Sequence, residues 1–397
     1  MTTPSADNNH APRTHYTATE MLAELVAFDT VSRHSNLALI EFIERYLTAH
    51  GVESWRVAND DGSKSNLLAR IGPAVEGGVV LSGHTDVVPV DGQPWSTDPF
   101  TLTAHDGKLY ARGSCDMKGF IACALAAVPQ WTATELSKPI WLAFSYDEEI
   151  GCLGAPRMIE RLVADFPRPA VVIVGEPTLM HPVTQQKGIT SLKTVVHGVE
   201  SHSSQVDQGI SAIHVAARLV TRIEEIMAEM VSEGETNTDF NVAHSSLHVG
   251  RIQGGTAINI MARECSFEWE IRHLPEQGFD AVFARFDTFS QSLERELKAR
   301  DARFAIETTP LTHTVPGLAG SDNRDAIALC RRLLGERETQ AVAYATEAGQ
   351  FQNAGLEAII CGPGSITQAH QPDEFISEEQ LAQGEAFMQR LGEYLQA

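Results

Sequence analysis

Residues 140–154 read IWLAFSYDEEIGCLG, and how this stretch is understood decides the fold. Ile140 to Phe144 is an unbroken apolar run, short enough for a strand and without the alternation of a half-exposed one, as expected of a strand covered on both faces. It leads directly into Asp147, Glu148 and Glu149. Three adjacent acids repel one another, and a strand leaving a core offers them no counter-charge. Either they form a solvated turn, or a cation sits there and needs carboxylates.

Other runs have the same character: NLLARI, GVVLSGH, AVVIVGE and EAIICGPG. Helix-length segments lie between them, notably Met117 to Val128 and Ala155 to Ala164. Two helices precede them. The first is announced by Thr17 and Glu20 as a capping box, and the second, Leu37 to Ala49, stops at Gly51, a favourable C-terminal position. The alternation predicts an α/β domain with a mostly parallel central sheet.

From about Ile189 the rhythm changes. ITSLKTVVHG reads as a strand. An amphipathic helix follows, with Ile213, Ala216, Leu219, Val220, Ile223 and Met227 on one stripe. Two strands come next, SSLHVGRI and CSFEWEIRHL, the second alternating with period two. A helix striped by Phe279, Val282, Phe286, Phe289, Leu293 and Leu297 leads to a last strand, RFAIETTPL. This βαββαβ order is a self-contained, ferredoxin-like unit. The α/β pattern resumes near Val315 and ends in a helix capped by Ser377 and Gln380. The expected domains are therefore 1–188 with 315–397, and an inserted 189–314.

The chain has 397 residues, 43% of them hydrophobic, so two or three domains with a sizeable core are expected. A net charge of -22 leaves no basic stripe to neutralise phosphates, which argues against a nucleic-acid partner. Six cysteines without a CxxC pair read as reduced, buried thiols. The polar start MTTPSADNNHAPRTHY reads as a loose tail without an apolar signal core. The run GFIACALAAV falls well short of the ~20 residues a membrane span needs. A cytoplasmic protein without a membrane partner is expected. Neither a P-loop nor a comparable glycine-rich phosphate cradle is present, which disfavours phosphoryl transfer.

In open α/β sheets, ligands bind beyond the carboxyl ends of the strands. His84 follows VVLSG, Glu148 and Glu149 follow LAFSY, and Glu176 follows VVIVG. Asp116 opens the helix near Met117, and His370 lies just past IICGPGSITQA. Taken singly, each has a bland reading: a structural histidine, or a solvated acid. Jointly, their recurrence at one sheet edge predicts a metal centre. Two histidines and three carboxylates are too many for one tetrahedral zinc but suit two zincs sharing a carboxylate bridge. His84 and Asp86 lie two apart on an extended segment, so Asp86 is expected to accept the other imidazole proton. Of the adjacent glutamates, one would bind metal and the other move protons.

These stretches resemble the di-zinc aminoacylase/carboxypeptidase-G type hydrolases. The residues that carry the likeness are SGHTDVVPVDGQPWSTDPF, LYARGSCDMKGFIA, YDEEIGCLGA, VGEPT, HSSQVDQGISAI, GGTAIN, EIRHLP, TEAGQFQNAG and CGPGSITQAHQPDEFI. The resemblance implies a zinc-peptidase-like catalytic domain with an inserted lid that also serves as a homodimer interface. It implies that Asp116 bridges two divalent metals, zinc with cobalt as a substitute, and that the Asp116–Met117 peptide is cis. His84 and Glu176 would complete one site, Glu149 and His370 the other. Glu148 would be the general base, with Asp86 orienting His84. His202 would help hold the oxyanion, Asn259 and Arg272 would bind substrate, and Glu347 would face a cationic side chain. The implied reaction is cleavage of the acetyl amide of N2-acetyl-L-ornithine, on the way to arginine. The rivals are other N-acyl amino acids on the same scaffold (acetylcitrulline, succinyl-diaminopimelate), a metallopeptidase, and a non-catalytic metal-binding protein.

Overall fold

A computed structural model of the chain describes residues 13–396. The expected loose N-terminal tail lies mostly outside them. Residues divide into two compact units. One comprises the chain up to Thr184, Ser321–Thr339 and the chain from Gln350 onward. The other comprises Gln185–Gly320 and Gln340–Gly349. The expected insert 189–314 lies within the second unit, but the short return at Gln340–Gly349 has no counterpart in the sequence reading.

In the first unit, the apolar runs become neighbouring strands. Ile140–Ser145, Val79–His84, Val171–Pro177 and Glu357–Gly362 lie side by side in that order, all parallel. Every residue of the first three is buried. The flanks are antiparallel, which the continuous apolar runs did not reveal. Ser65–Ile71 pairs antiparallel with Ile140–Ser145, Glu53–Ala58 pairs antiparallel with Ser65–Ile71, and Val183–Gln186 meets Glu357–Gly362 on the other side. Burial on both faces explains why NLLARI looks like its parallel neighbours: helices cover the sheet there whatever the strand direction.

The parallel registers bring four strand ends level. His84 lies opposite Ser145, and Val79 is paired with both Ile140 and Val171. Gly175 lets Val171–Pro177 approach the helix behind it, since a Cβ there would meet the Phe120 ring at 2.1 Å. That helix, Lys118–Thr132, is buried along most of its length and packs against Ala18–Val26 and Glu378–Leu395. Trp131 Nε1 donates to the Met388 carbonyl at 3.2 Å. Both expected caps form: Thr17 Oγ1 accepts from Glu20 N, and Ser377 Oγ accepts from Gln380 N. A small sheet of Thr103–His105, Lys108–Tyr110 and Phe375–Ser377, absent from the sequence reading, ties the loops around the strand ends. All six cysteines are buried, in line with expectation.

The second unit has the expected βαββαβ order. Its sheet runs Ser246–Gly254, Glu264–His273, Gly188–His197, Ala305–Pro310, antiparallel throughout. Gly188–His197 alternates buried and half-buried residues along its length. The buried face packs against the helices Ala212–Ser232 and Gly278–Lys298. The first helix buries Ala212, Val215, Ala216, Leu219, Ile223, Ile226 and Met230. Ile213, placed on the buried stripe by its spacing, is 40% exposed. It borders an open apolar cavity of about 430 Å³ beside Ile258 and Ile260. No helix among the described residues is long and apolar enough to cross a membrane.

Candidate metal centre

The strand ends of the first unit converge on one carboxylate. His84 ends its strand with a side chain only 1% exposed, and its Nε2 lies 3.0 Å from Asp116 Oδ1 and 3.8 Å from Glu176 Oε1. His370 approaches from the opposite side, with Nε2 3.3 Å from Asp116 Oδ2 and 3.0 Å from Glu149 Oε2. Each oxygen of Asp116 thus faces its own histidine, and each histidine has its own glutamate. His84, Asp116 and Glu149 offer ligand atoms within 4.8 Å of one another. The Asp116–Met117 peptide is cis.

The donor set fits divalent cations. Glu149 Oε1 and Glu176 Oε1 are buried without a hydrogen-bond partner, a costly state for carboxylate oxygens that cation ligation would relieve. Without metal, the charges strain one another. Burial and the neighbouring Asp116 push Glu149 up to about 7, against the pull of His370. Burial and Asp116 likewise raise Glu176 well above the usual carboxylate range. Asp116 goes the other way: burial opposes its ionisation, but hydrogen bonds and charges from His370 and His84 hold it below its usual value. Hydrogen bonds to Asp116 and Glu149 raise His370 to about 10. In His84, burial works downward but Asp116, Glu176 and Glu148 win, leaving the imidazole well above its ordinary value. Carboxylates crowded this closely around two histidines are a donor set suited to divalent cations.

Asp86 departs from expectation. The Nδ1 of His84 meets the backbone carbonyl of Asp86 at 2.9 Å, whereas the nearer carboxylate oxygen is 3.7 Å away. The tautomer is fixed either way, because a carbonyl can only accept. The Asp86 carboxylate is engaged elsewhere: it accepts from Ser32 Oγ at 2.7 Å and from the backbone N–H groups of Glu148 and Glu149 at 3.1 and 3.3 Å. It therefore sets the turn that presents the two glutamates. Asp147, the third acid, points away and is ion-paired with Lys64. Glu148 is held from below, with Oε1 accepting from the Cys152 thiol at 3.2 Å.

Residues 80–394 match peptidase family M20/M25/M40. The chain belongs to that family. Among relatives, it is 38% identical to the acetylornithine deacetylase of Myxococcus xanthus, over 93% of this chain and 95% of that one. It is 34% identical to the acetylornithine deacetylase of Pasteurella multocida, over 91% and 93%. Among solved structures it resembles aminopeptidase PepT from Bacillus cereus, with a TM-score of 0.74 at 18% identity over 95% of this chain and 98% of that one. It also resembles a dinuclear metal-binding peptidase of the M20 family from Bacillus subtilis, with a TM-score of 0.64 at 16% identity over 95% and 97%. These last two likenesses concern the fold.

Within this M20 chain, sequence reasoning missed the residues that hold Asp116 in place. Glu374, 1% exposed, accepts from the backbone N–H groups of Cys115 and Asp116 at 2.9 and 3.0 Å. Its other oxygen accepts from Arg112 Nη1 at 2.7 Å. Arg112 is equally buried, and its guanidinium lies 5.1 Å from the centre of the Trp95 ring. Both residues stand in stretches that carried the family likeness, ARGSCDM and HQPDEF, and that was the available signal.

The remaining expected site residues belong to the second unit. His202 is exposed; its Nδ1 accepts from Ser204 N at 3.2 Å and lies 2.8 Å from Ser204 Oγ. It faces Ile260 across a β-bridge, and Ser203 N donates to the Asn259 carbonyl at 3.0 Å, so His202 and Asn259 are neighbours. Arg272 is not an unencumbered fork: Nε donates to Glu270 at 2.7 Å and Nη1 to the Ala343 carbonyl at 3.2 Å. Glu347 is buried, at 1% exposure.

Proposed function

We propose that this M20-family chain hydrolyses the acetyl amide of N2-acetyl-L-ornithine, releasing acetate and ornithine. The observation that carries the reading is the Asp116 carboxylate with one oxygen toward each histidine, 3.0 Å from His84 and 3.3 Å from His370. The substrate comes from the relatives named as acetylornithine deacetylases, matched over nearly their whole length.

In this reading His84 and Glu176 would hold one divalent metal and Glu149 and His370 the other, with Asp116 serving both. Zinc suits the nitrogen and oxygen donors, with cobalt as a substitute. When bound, such a pair polarises the amide carbonyl and acidifies a water. Glu148 is the general base: it takes the proton of the attacking water and returns it to the leaving amine. Asp86 fixes the backbone that aims Glu148, and through its carbonyl the tautomer of His84. In the second unit, read as a lid and homodimer interface, His202 would stabilise the oxyanion. Asn259 and Arg272 would bind substrate, Arg272 by clamping the amino-acid carboxylate, and Glu347 would face the ornithine ammonium. The Glu270 and Ala343 contacts of Arg272 would have to loosen for that clamp to form.

The test is turnover of N2-acetyl-L-ornithine against acetylcitrulline, succinyl-diaminopimelate and a dipeptide, with zinc or cobalt, for wild type and Glu148→Ala. Acetylornithine should be the best substrate. Glu148→Ala should bind metal as wild type does and lose activity by roughly 10²–10⁴-fold, the range for removing a positioned base. A faster N-acyl substrate would keep the chemistry and sink the Glu347 assignment. Preferred dipeptide cleavage would make the chain a peptidase. Metal binding without any amide cleavage would leave a binding protein.

A further inference from the structure

His370 is the least secured member of the centre, and one side chain outside the expected set takes hold of it. The imidazole is 54% exposed. Its residue has φ 62°, the left-handed region that a non-glycine residue occupies only when its surroundings impose it. Gln93, far away in sequence, donates from Nε2 to the His370 carbonyl at 2.9 Å. The other end of the same amide is fixed. Gln93 Oε1 accepts from Trp95 Nε1 at 3.0 Å and from Arg112 Nη2 at 2.5 Å. Two donors on that oxygen leave only one orientation for the amide, with the NH₂ toward His370. Arg112 continues to Glu374, and Glu374 to the backbone N–H of Asp116. A continuous chain of hydrogen bonds thus runs from the His370 carbonyl to the backbone N–H of Asp116.

We propose that Gln93 is a positioning residue for the His370 side of the centre: by holding the His370 backbone against the Arg112–Glu374 pair, it sets the affinity of the Glu149–His370 metal position and leaves the His84–Glu176 position unaffected. The inference rests on the metal reading above. Its physical content is that a ligand on an exposed loop must be held by something other than core packing. Partners that orient metal ligands typically matter by roughly 10–100-fold in metal affinity. His84 needs no such partner, because its strand is paired on both sides within the core.

Gln93→Glu separates positioning from general stability. The carboxylate keeps the size of the side chain and keeps an acceptor for Trp95 and Arg112; its charge strengthens the Arg112 contact. At the other end it sets an oxygen against the His370 carbonyl oxygen, so only that contact is lost. Metal-free wild type, Gln93→Glu and His370→Ala would be titrated with zinc in competition with a chromophoric chelator, and melting temperatures recorded on the same samples. Wild type should take up two zinc ions. Gln93→Glu should bind the first within about twofold of wild type and the second roughly 10–100-fold more weakly, with a metal-free melting temperature close to that of wild type. His370→Ala should show the same loss in stronger form. Gln93→Met, neutral and of similar length, also gives up the Trp95 and Arg112 contacts, so its metal-free melting temperature should fall. The second zinc should still weaken more than the first, and this variant serves if Gln93→Glu fails to fold. Two zinc ions bound at wild-type affinity by Gln93→Glu would overturn the inference, as would equal weakening of both. Wild type binding fewer than two would instead bring down the metal reading and this inference with it.

Discussion

His84 and His370 stand on either side of one carboxylate and are held in opposite ways. His84 is fixed by a sheet: its strand is laddered to both neighbours, its side chain is 1% exposed, and its second nitrogen meets a carbonyl two residues on. His370 follows the short helix Ile366–Gln368 on a loop, more than half exposed and in a left-handed backbone conformation. What secures it is polar: Gln93 on its carbonyl, and Asp373 three residues on, which accepts from the backbone N–H and the hydroxyl of Ser96. In the proposed centre, the contrast amounts to two ways of presetting a ligand. Packing sets one half of the centre together with the fold itself, whereas hydrogen bonds set the other half and can be altered without unmaking the core.

Cutting the link between the halves should have the largest effect on stability. Arg112 and Glu374 are each 1% exposed. Arg112→Met would leave a buried carboxylate with two backbone donors and no cation. Breaking such a pair costs about 3–5 kcal/mol, measured by denaturant unfolding of the metal-free protein. Adding Glu374→Gln should recover part of that loss, because the amide oxygen can still accept from Cys115 N and Asp116 N while the charge is gone. A double variant no more stable than Arg112→Met alone would show that the pair is not what holds this region.

A smaller effect is expected within the sheet-held half. Asp86 accepts three hydrogen bonds, two of them from the backbone of Glu148 and Glu149. Asp86→Asn turns an NH₂ group toward one of those donors and removes the charge. Bonds to a charged group contribute about 1.5–3 kcal/mol, so a stability loss of that order is expected. Because the turn also aims Glu148, kcat should fall with KM little changed. A loss confined to KM would place Asp86 in substrate binding instead.

The two halves also differ in how legible they were. His84, Glu148, Glu149 and Glu176 could be read because each ends an apolar run, and a run long enough to be a buried strand announces where its end must lie. Asp116 and His370 were placed there by the helix start and the loop that follow such runs, and only the bridging role of Asp116 and the division of ligands between two sites needed the family resemblance. Gln93, Arg112 and Glu374 were passed over although each stands inside a quoted motif. Gln93 and His370 are 277 residues apart, and Arg112 and Glu374 262, so no local spacing connects them. Nor does the composition of GQPWSTDPF or HQPDEF distinguish a buried network from a solvated loop. The Asp86 carboxylate was misassigned for a related reason. The period of two correctly aligned the residue with His84, but backbone donors of a turn sixty residues on competed for it. In the second unit, alternation located the strands, yet spacing alone put Ile213 inside when the helix presents Val215 to the core.

The smallest effect expected is also the one that reads the loop-held half most directly: the pH dependence of stability with and without zinc. In the metal-free protein, His370 is raised from its ordinary 6.5 to about 10 by Asp116 and Glu149. Its stabilising contribution is therefore complete below 6.5 and is lost as pH rises through about 10. Glu149 is raised from 4.5 to about 7, chiefly by burial, so the folded state keeps a proton that the unfolded state gives up earlier. Its penalty is absent below 4.5 and complete above 7. Both groups make the folded, metal-free chain bind more protons than the unfolded one, so its stability should fall with rising pH across this window. In the proposed reading bound zinc would take the place of those protons, and its affinity should rise as they leave. The melting temperatures of chelated and zinc-loaded protein should therefore diverge with increasing pH, by an amount on the order of a few degrees. His370→Ala should remove the loss that His370 contributes between pH 6.5 and about 10, and Glu149, released from the pull of His370, should titrate higher than in wild type. Parallel curves for the two forms would mean that zinc does not displace these protons, and that the loop-held histidine is not a ligand.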